Sequence, residues 1–230
     1  MIFGDKGSGL TVPAGAASLV LDIKEASMAQ PAYPLTLLED DGRNWPAQGD
    51  WTYEDYLRLP EDGRRYEVLR GVLYVTPSPI YDHQFCVVSL TLDLGSFIRR
   101  GGLGVLLVAP FDIRLPQRLA DPVEPDLVFF RKGNEPRTGD KSFTGVPDLV
   151  VEVLSPGTSR VDKKIKMSIY REAGIPEYWL VDPESRTVTI HQLSQDGRRY
   201  VECARGGAGE VVESTILPGL RLSVSDLFPR

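Results

Sequence analysis

Two carboxylates in the middle of the chain, Asp126 and Glu152, stand in a pattern suited to phosphate chemistry. Asp126 follows Pro125 and opens the apolar run Leu127-Val128-Phe129-Phe130; Glu152 sits inside another, between Leu149-Val150-Val151 and Val153-Leu154. A carboxylate within so apolar a run is seldom buried without a partner or a metal. Suppose the two runs are antiparallel strands joined by a loop centred near Asn134–Asp140. A register symmetric about position 139 then sets residue 126 opposite residue 152. Opposed residues share a sheet face, with Cβ atoms about 5 Å apart. Two carboxylates that close repel, and a hard divalent cation such as Mg²⁺ or Mn²⁺ relieves the repulsion while keeping sites for water and substrate phosphate. Such a cation polarises a phosphate ester, lowers the pKa of a water and neutralises charge growing on the phosphorus oxygens. Asp126 also has a plainer reading, as the turn residue that starts a strand.

A nearby lysine would complete this electrostatic clamp. The usual place for it is two residues after the second acid, but position 154 is Leu. The next helix, read from about Arg160 to Ala173, can supply the cation instead. Its apolar stripe is Val161, Ile165, Ile169 and Ala173, at successive i+4 steps. Lys164 and Lys166 each lie one residue from Ile165, about 100° to either side, so both border the buried face. Spacing alone does not choose between them. Asp162, Lys166 and Tyr170 fall at i, i+4 and i+8, which lets Asp162 and Tyr170 hold the helix and orient Lys166. Asp148 shares the strand face of Glu152 but lies about 13 Å away along an extended chain, and reads as a turn or capping partner. His83 precedes a helix that it can cap, with a general-base role as the alternative. His191 reads as structural, and Glu67, in a hairpin, as an exposed strand charge.

The elements that must position these residues follow from periodicity. Thr52 can N-cap a short helix, Tyr53 to Leu59, stopped by Pro60 and Gly63. Residues 65–75 read as a tight hairpin around Gly71, closed by Pro77-Ser78-Pro79. From Tyr81 to Arg100, Phe85, Val88, Leu92 and Phe97, with Leu94 and Ile98, fit a helical period that Gly101-Gly102 ends. Three runs, Gly104–Leu115, Asp126–Phe130 and Asp148–Leu154, read as strands; Glu177–Val181 follows the second helix as another. Thr187–Leu193, Tyr200–Cys203 and Val211–Val224 read as further strands. The result is an α+β mixed sheet with helices on its faces and the element order αβββαβ.

At 230 residues, with 42% apolar and 25% charged residues, the chain suits one globular domain with an arm. Residues 1–50, rich in Gly, Ala and Pro, read as that arm, partly disordered, and residues 51–230 as the domain. No apolar run reaches the roughly 18 residues of a membrane span. Cys86 and Cys203 show no clip or disulfide spacing; both read as small buried hydrophobes in a protein of the reducing cytoplasm. The net charge of −6 counts against an indiscriminate nucleic-acid binder. Its distribution is uneven, however. Residues 131–171 carry nine basic side chains against five acidic ones, so the field near the candidate site is expected to be positive.

The run Pro147-Asp148-Leu149-Val150-Val151-Glu152-Val153-Leu154-Ser155-Pro156 is followed by Asp162, Lys166, Tyr170, Gly174 and Glu177-Tyr178-Trp179-Leu180-Val181-Asp182-Pro183. Together with Tyr66-Glu67, Gly71, Pro77-Ser78-Pro79, His83 and Pro125-Asp126 upstream, it resembles the Uma-two-type family of restriction endonuclease-like proteins over about residues 51–193. The resemblance implies a restriction-endonuclease-like core of PD-(D/E)xK type in which the active-site lysine has moved onto the helix. It therefore favours Lys166 over Lys164. It also implies Asp126 and Glu152 as ligands of Mg²⁺ or Mn²⁺, and Glu67 as a further acid. The expected activity is hydrolysis of DNA phosphodiesters, in a fold that allows a homodimer. Two other readings stay open: an RNA or nucleotide phosphodiesterase, and a binding or assembly module that keeps the fold without catalysis.

Overall fold

A computed structural model describes residues 43–229 except 77, 157, 158 and 160. Residues 1–42, most of the expected arm, lie outside the described residues. Residues 45–51 run along a hairpin: Trp45 stacks on Trp51 at 5.4 Å, Gln48 Oε1 accepts the Leu73 N–H at 2.8 Å, and the Gly49 N–H donates to the Gly71 carbonyl at 2.8 Å. That hairpin is β1 (Arg65–Leu69) and β2 (Val72–Thr76), joined by Arg70 and Gly71 with φ of 51° and 75°. Two successive positive φ values make the tight turn whose twist suits a hairpin. A Cβ on residue 71 would also run into the Gly49 carbonyl. Gly71→Ala is therefore expected to cost about 2 kcal/mol or more of stability, read by urea denaturation.

Thr52 caps the first helix, α1 (Tyr53–Tyr56), through a capping box with Asp55. The helix is one turn, shorter than the expected run to Leu59. The second helix, α2 (Tyr81–Gly101), has the expected span and closes on Gly102 in the left-handed conformation. Its buried side chains are Cys86, Val87, Leu90, Leu94 and Ile98, with His83 in the first turn. Of the expected stripe, Val88 and Leu92 are exposed instead. The sequence carries two apolar stripes on this helix, and the i+4 series 86, 90, 94, 98 is the one that meets the sheet.

The central sheet has six strands in the order β10-β9-β8-β7-β5-β3. These are β3 (Gly104–Val108), β5 (Leu127–Arg131), β7 (Leu149–Val153), β8 (Glu177–Asp182), β9 (Thr187–Leu193) and β10 (Tyr200–Gly206). Only β7 and β8 run parallel, joined through the helix that packs back on the sheet. The expected strand Gly104–Leu115 divides into β3 and β4 (Asp112–Arg114), because Pro110 between them has no N–H to give a ladder. β4 pairs in parallel with β6 (Ser142–Thr144), which lies in the stretch expected as loop. The final expected strand divides into β11 (Val211–Glu213) and β12 (Arg221–Ser223), an antiparallel pair.

Two cores lie on the two sheet faces. Leu127, Phe129, Val151, Val153 and Trp179 face α2, whereas Val128, Phe130, Val150, Leu154 and Tyr178 face the opposite layer. Strand alternation puts Asp126 and Glu152 on that second face. The layer over it holds α3 (Met167–Ala173), which is preceded by a π-helical segment, Val161–Lys166. The wider π turn changes which residues point inward: Asp162 and Lys166 are buried, while Val161 and Ile165 are only half-buried. Cys86 is buried as expected, but Cys203 is exposed on β10, where a bulge after Glu202 disturbs the alternation. No helix among the described residues is long and apolar enough to cross a membrane.

Candidate active site

The site gathers where β5 begins and β7 ends. Leu127 pairs with Val151, Val128 with Val150 and Phe129 with Leu149, the register expected from symmetry about position 139. Extended by one residue, it sets Asp126 across from Glu152. Asp126 lies just past the ladder, so its side chain, not its backbone, meets the neighbouring strand: Oδ2 accepts the Val153 N–H at 2.9 Å. The same Oδ2 lies 3.1 Å from His83 Nε2. An ionised carboxylate only accepts, so Nε2 carries the proton in that bond, and the buried Nδ1 has no partner among the described residues. His83 is therefore a side chain of the first helical turn turned into the site. It does not cap the helix; the N-cap is Ile80, without a side-chain bond.

Glu152 takes a different set of partners. Its Oε1 accepts from Lys166 Nζ at 3.0 Å and from Tyr170 OH at 2.6 Å. Lys166 Nζ also lies 3.0 Å from Glu67 Oε1 and 3.5 Å from Asp162 Oδ1. Lys164 is exposed. The π turn thus makes the choice that α-helical spacing left open: Lys166 enters the site and Lys164 does not. Tyr170 binds Glu152 directly, whereas it was expected to orient Lys166. Glu67 is not the exposed strand charge that a hairpin suggests; it is buried, and its Oε1 also accepts the Glu124 N–H at 2.8 Å. Backbone bonds from Val68 to Pro122 and from Asp121 to Val68 hold β1 against the 119–124 segment and so bring Glu67 to the site.

Arg65 was missed in the sequence. Its Nε meets Glu124 Oε2 at 3.2 Å, its Nη2 donates to the Glu124 carbonyl at 2.6 Å, and its Nη1 reaches Asp126 Oδ1 at 3.4 Å. Two edges of the guanidinium are fixed by Glu124, leaving the third aimed at Asp126. Behind Glu124, Tyr56 OH contacts both Asp112 at 2.9 Å and Glu124 at 3.2 Å. Nothing in the spacing of Arg65 signals this role, which depends on β1 lying beside residues 119–124. Two other expectations hold in simple form. Asp148 ties the loop after β5, accepting from Arg131 N and Asn134 Nδ2 at 2.9 Å each. His191 packs among Tyr178 and Tyr200, away from the cleft.

The cleft has a volume of about 40 Å³ and is lined by four carboxylates, Glu67, Asp126, Glu152 and Asp162, against two fixed cations, Arg65 and Lys166. This imbalance separates the two central acids. Burial pushes Asp126 up, but the His83 hydrogen bond, the Arg65 charge and the Val153 N–H outweigh it, and the carboxyl sits below its ordinary value. For Glu152, burial dominates. Lys166 opposes it, while Asp162, Asp126 and Glu67 reinforce it, so this carboxyl is held well above its ordinary range. Burial disfavours the Lys166 charge, but three surrounding carboxylates reverse that and keep the ammonium charged.

A divalent cation suits this donor set. Two oxygen-ligand carboxylates on one sheet face, in a cleft short of positive charge, match Mg²⁺, which commonly takes one or two carboxylates and completes its shell with waters and phosphate. Among the described residues, no three His, Cys, Asp or Glu side chains form a closed metal cage. The expected positive field is also weaker than the residue count suggested, since Lys163 pairs with Asp182 and Arg171 with Glu172, two acids outside that count.

Among solved structures, the chain is similar to a protein described as a "putative nuclease belonging to DUF820" from Anabaena variabilis, with 21% identity and a TM-score of 0.63, over 77% of this chain and 97% of that one. At that identity the likeness is one of fold. No curated protein matches. The Uma2 family, described as "Putative restriction endonuclease", matches residues 53–225, which include every side chain of the cleft. The chain belongs to the Uma2 family of restriction-endonuclease-like proteins.

Proposed function

We propose that this chain is an endonuclease that hydrolyses DNA phosphodiester bonds with Mg²⁺ or Mn²⁺, Asp126 and Glu152 being the metal ligands and Lys166 and Glu67 completing the catalytic set. The observation that carries the reading is the position of Lys166 Nζ, 3.0 Å from both Glu152 and Glu67 in the cleft that Asp126 also lines. A lysine turned away from the two acids would have removed most of the support for catalysis over a binding module.

The side chains divide the work. His83 and the Val153 N–H fix one oxygen of Asp126 and leave Oδ1 toward Arg65. Tyr170 and Lys166 hold Oε1 of Glu152. Lys166 sets a permanent positive charge beside the reacting phosphate, and Arg65, braced by Glu124, offers a second. Lys166 is buried and Arg65 half-buried, so both charges act more strongly than in water. When bound, a divalent cation supplies Lewis acidity toward the phosphate oxygens and a lowered pKa for the attacking water.

The test is cleavage of supercoiled plasmid and of single-stranded DNA and RNA in Mg²⁺ and in Mn²⁺, comparing wild type with Glu152→Gln. Cleavage that EDTA abolishes and that Glu152→Gln lowers by about 100-fold or more is expected. Equal activity in the two proteins would sink the mechanism.

A further inference from the structure

The depth of the cleft bears on what form of polynucleotide can enter it. Glu67 and Glu152 are 3% exposed, and Asp126 and Lys166 5%. The end of β2, Pro79, His83 from the first turn of α2, Ser155 and the π-helical segment line a space of about 40 Å³ around them. Duplex DNA is stiff, with a persistence length of about 150 bp, and carries its phosphates on a convex surface. Pushing one of its phosphates this far into a narrow cleft requires a sharp local distortion or melting. An unpaired strand bends around each phosphate without losing base pairs.

Charge points the same way. A duplex binder commonly neutralises several phosphates with exposed lysines and arginines. Here the cleft lining is itself net acidic, and Lys163, on the π-helical segment that lines it, already faces Asp182. Unpaired strands draw much of their affinity from base stacking on exposed aromatic rings, which needs no such excess of charge. Such a platform is present. Tyr81, 70% exposed, opens the helix whose His83 lines the cleft, follows cleft residue Pro79 by two positions, and meets Phe85 at 6.1 Å. Ile80 beside it is exposed as well.

We propose that the site takes unpaired polynucleotide, its phosphate entering the Asp126–Glu152 cleft while a neighbouring base stacks on Tyr81, and that intact duplex is excluded. This rests on the site described above and narrows its substrate to unpaired strands, DNA or RNA.

The experiment measures fluorescence anisotropy of labelled strands of about 16 nucleotides, a length suited to single-strand sites, in Ca²⁺ with the protein whose cleft is intact. Single-stranded DNA, single-stranded RNA and the annealed DNA duplex are compared. At least one single strand is expected to bind about tenfold tighter than duplex, and Tyr81→Ala in the same background to weaken that strand about tenfold. The DNA and RNA arms tell the two sources apart. Duplex binding equal to or tighter than both single strands, or no binding to any of the three, overturns the inference. So does a Tyr81→Ala protein that binds single strands unchanged. Hydrolysis of bis(p-nitrophenyl) phosphate by wild-type protein in Mn²⁺ separates the two claims. Hydrolysis with a duplex preference leaves the phosphodiesterase reading standing and removes this one. Selective strand binding without hydrolysis does the opposite.

Discussion

Lys166→Met is expected to destabilise the fold by about 3–5 kcal/mol and to abolish cleavage, because it leaves buried carboxylates without their shared cation. Lys166 is almost fully buried, and its Nζ lies within 3.5 Å of Glu67, Glu152 and Asp162. Methionine keeps the length and apolar body of the side chain, so the loss reports the missing charge and not a cavity. The buried group gained nothing on folding that an apolar residue could not supply; the cost comes from the partners left behind. Adding Glu67→Gln to Lys166→Met is therefore expected to recover part of the stability while restoring no activity. Chemical denaturation of the four proteins of this cycle gives the coupling between the two residues. A Lys166→Met protein as stable as wild type, or a double variant that loses the sum of both single effects, would contradict the picture of one charge serving several acids.

The second large effect concerns pH. Glu152 is held well above its ordinary value of 4.5 by burial and by its acidic neighbours. A group whose folded pKa is raised contributes stability that is fully present below the unfolded pKa and is lost as pH rises through the folded one. In metal-free protein, Glu152 should thus cost stability progressively as pH climbs above about 4.5. Glu152→Gln, which keeps the shape without the ionisation, is expected to be the more stable protein near pH 8 and to lose that advantage near about pH 5. Asp126 works with the opposite sign. Its carboxyl sits below its ordinary value of 3.8, so its contribution is present above that pH and is lost as pH falls through the folded pKa. Thermal melts of wild type and Glu152→Gln in EDTA across this range read the effect. A stability difference that does not change with pH would mean that Glu152 is already ionised and fully compensated in the fold.

Much of the site was legible in the sequence because strand pairing is arithmetic. Asp126 and Glu152 flank a single connection, and one symmetric register, with 127 opposite 151, sets them across from each other. Strand alternation then gives the shared face. The helix was harder. An α-helical period makes Val161 and Ile165 the buried stripe and leaves Lys164 and Lys166 equivalent, whereas the π-helical segment buries Asp162 and Lys166. A π turn has no distinct apolar period over six residues, so only the family resemblance singled out Lys166 in advance. Arg65 and His83 were less visible still. Each reaches Asp126 from an element distant in sequence, β1 and the first turn of α2, and neither contact leaves a local pattern. The same holds for Glu67, whose alternation in a hairpin says nothing of the 119–124 segment that covers it. The two apolar stripes of α2 show the converse limit, since periodicity finds both and only the sheet decides which is core.

The central claim is that Asp126 and Glu152 together hold the divalent cation. Its most direct test is Mn²⁺ binding, followed by electron paramagnetic resonance of the free ion, to wild type, Asp126→Asn and Glu152→Gln near neutral pH. One site in the wild type is expected, with affinity lowered about 10–100-fold or more by either substitution. Retention of wild-type Mn²⁺ affinity in both variants would contradict the account.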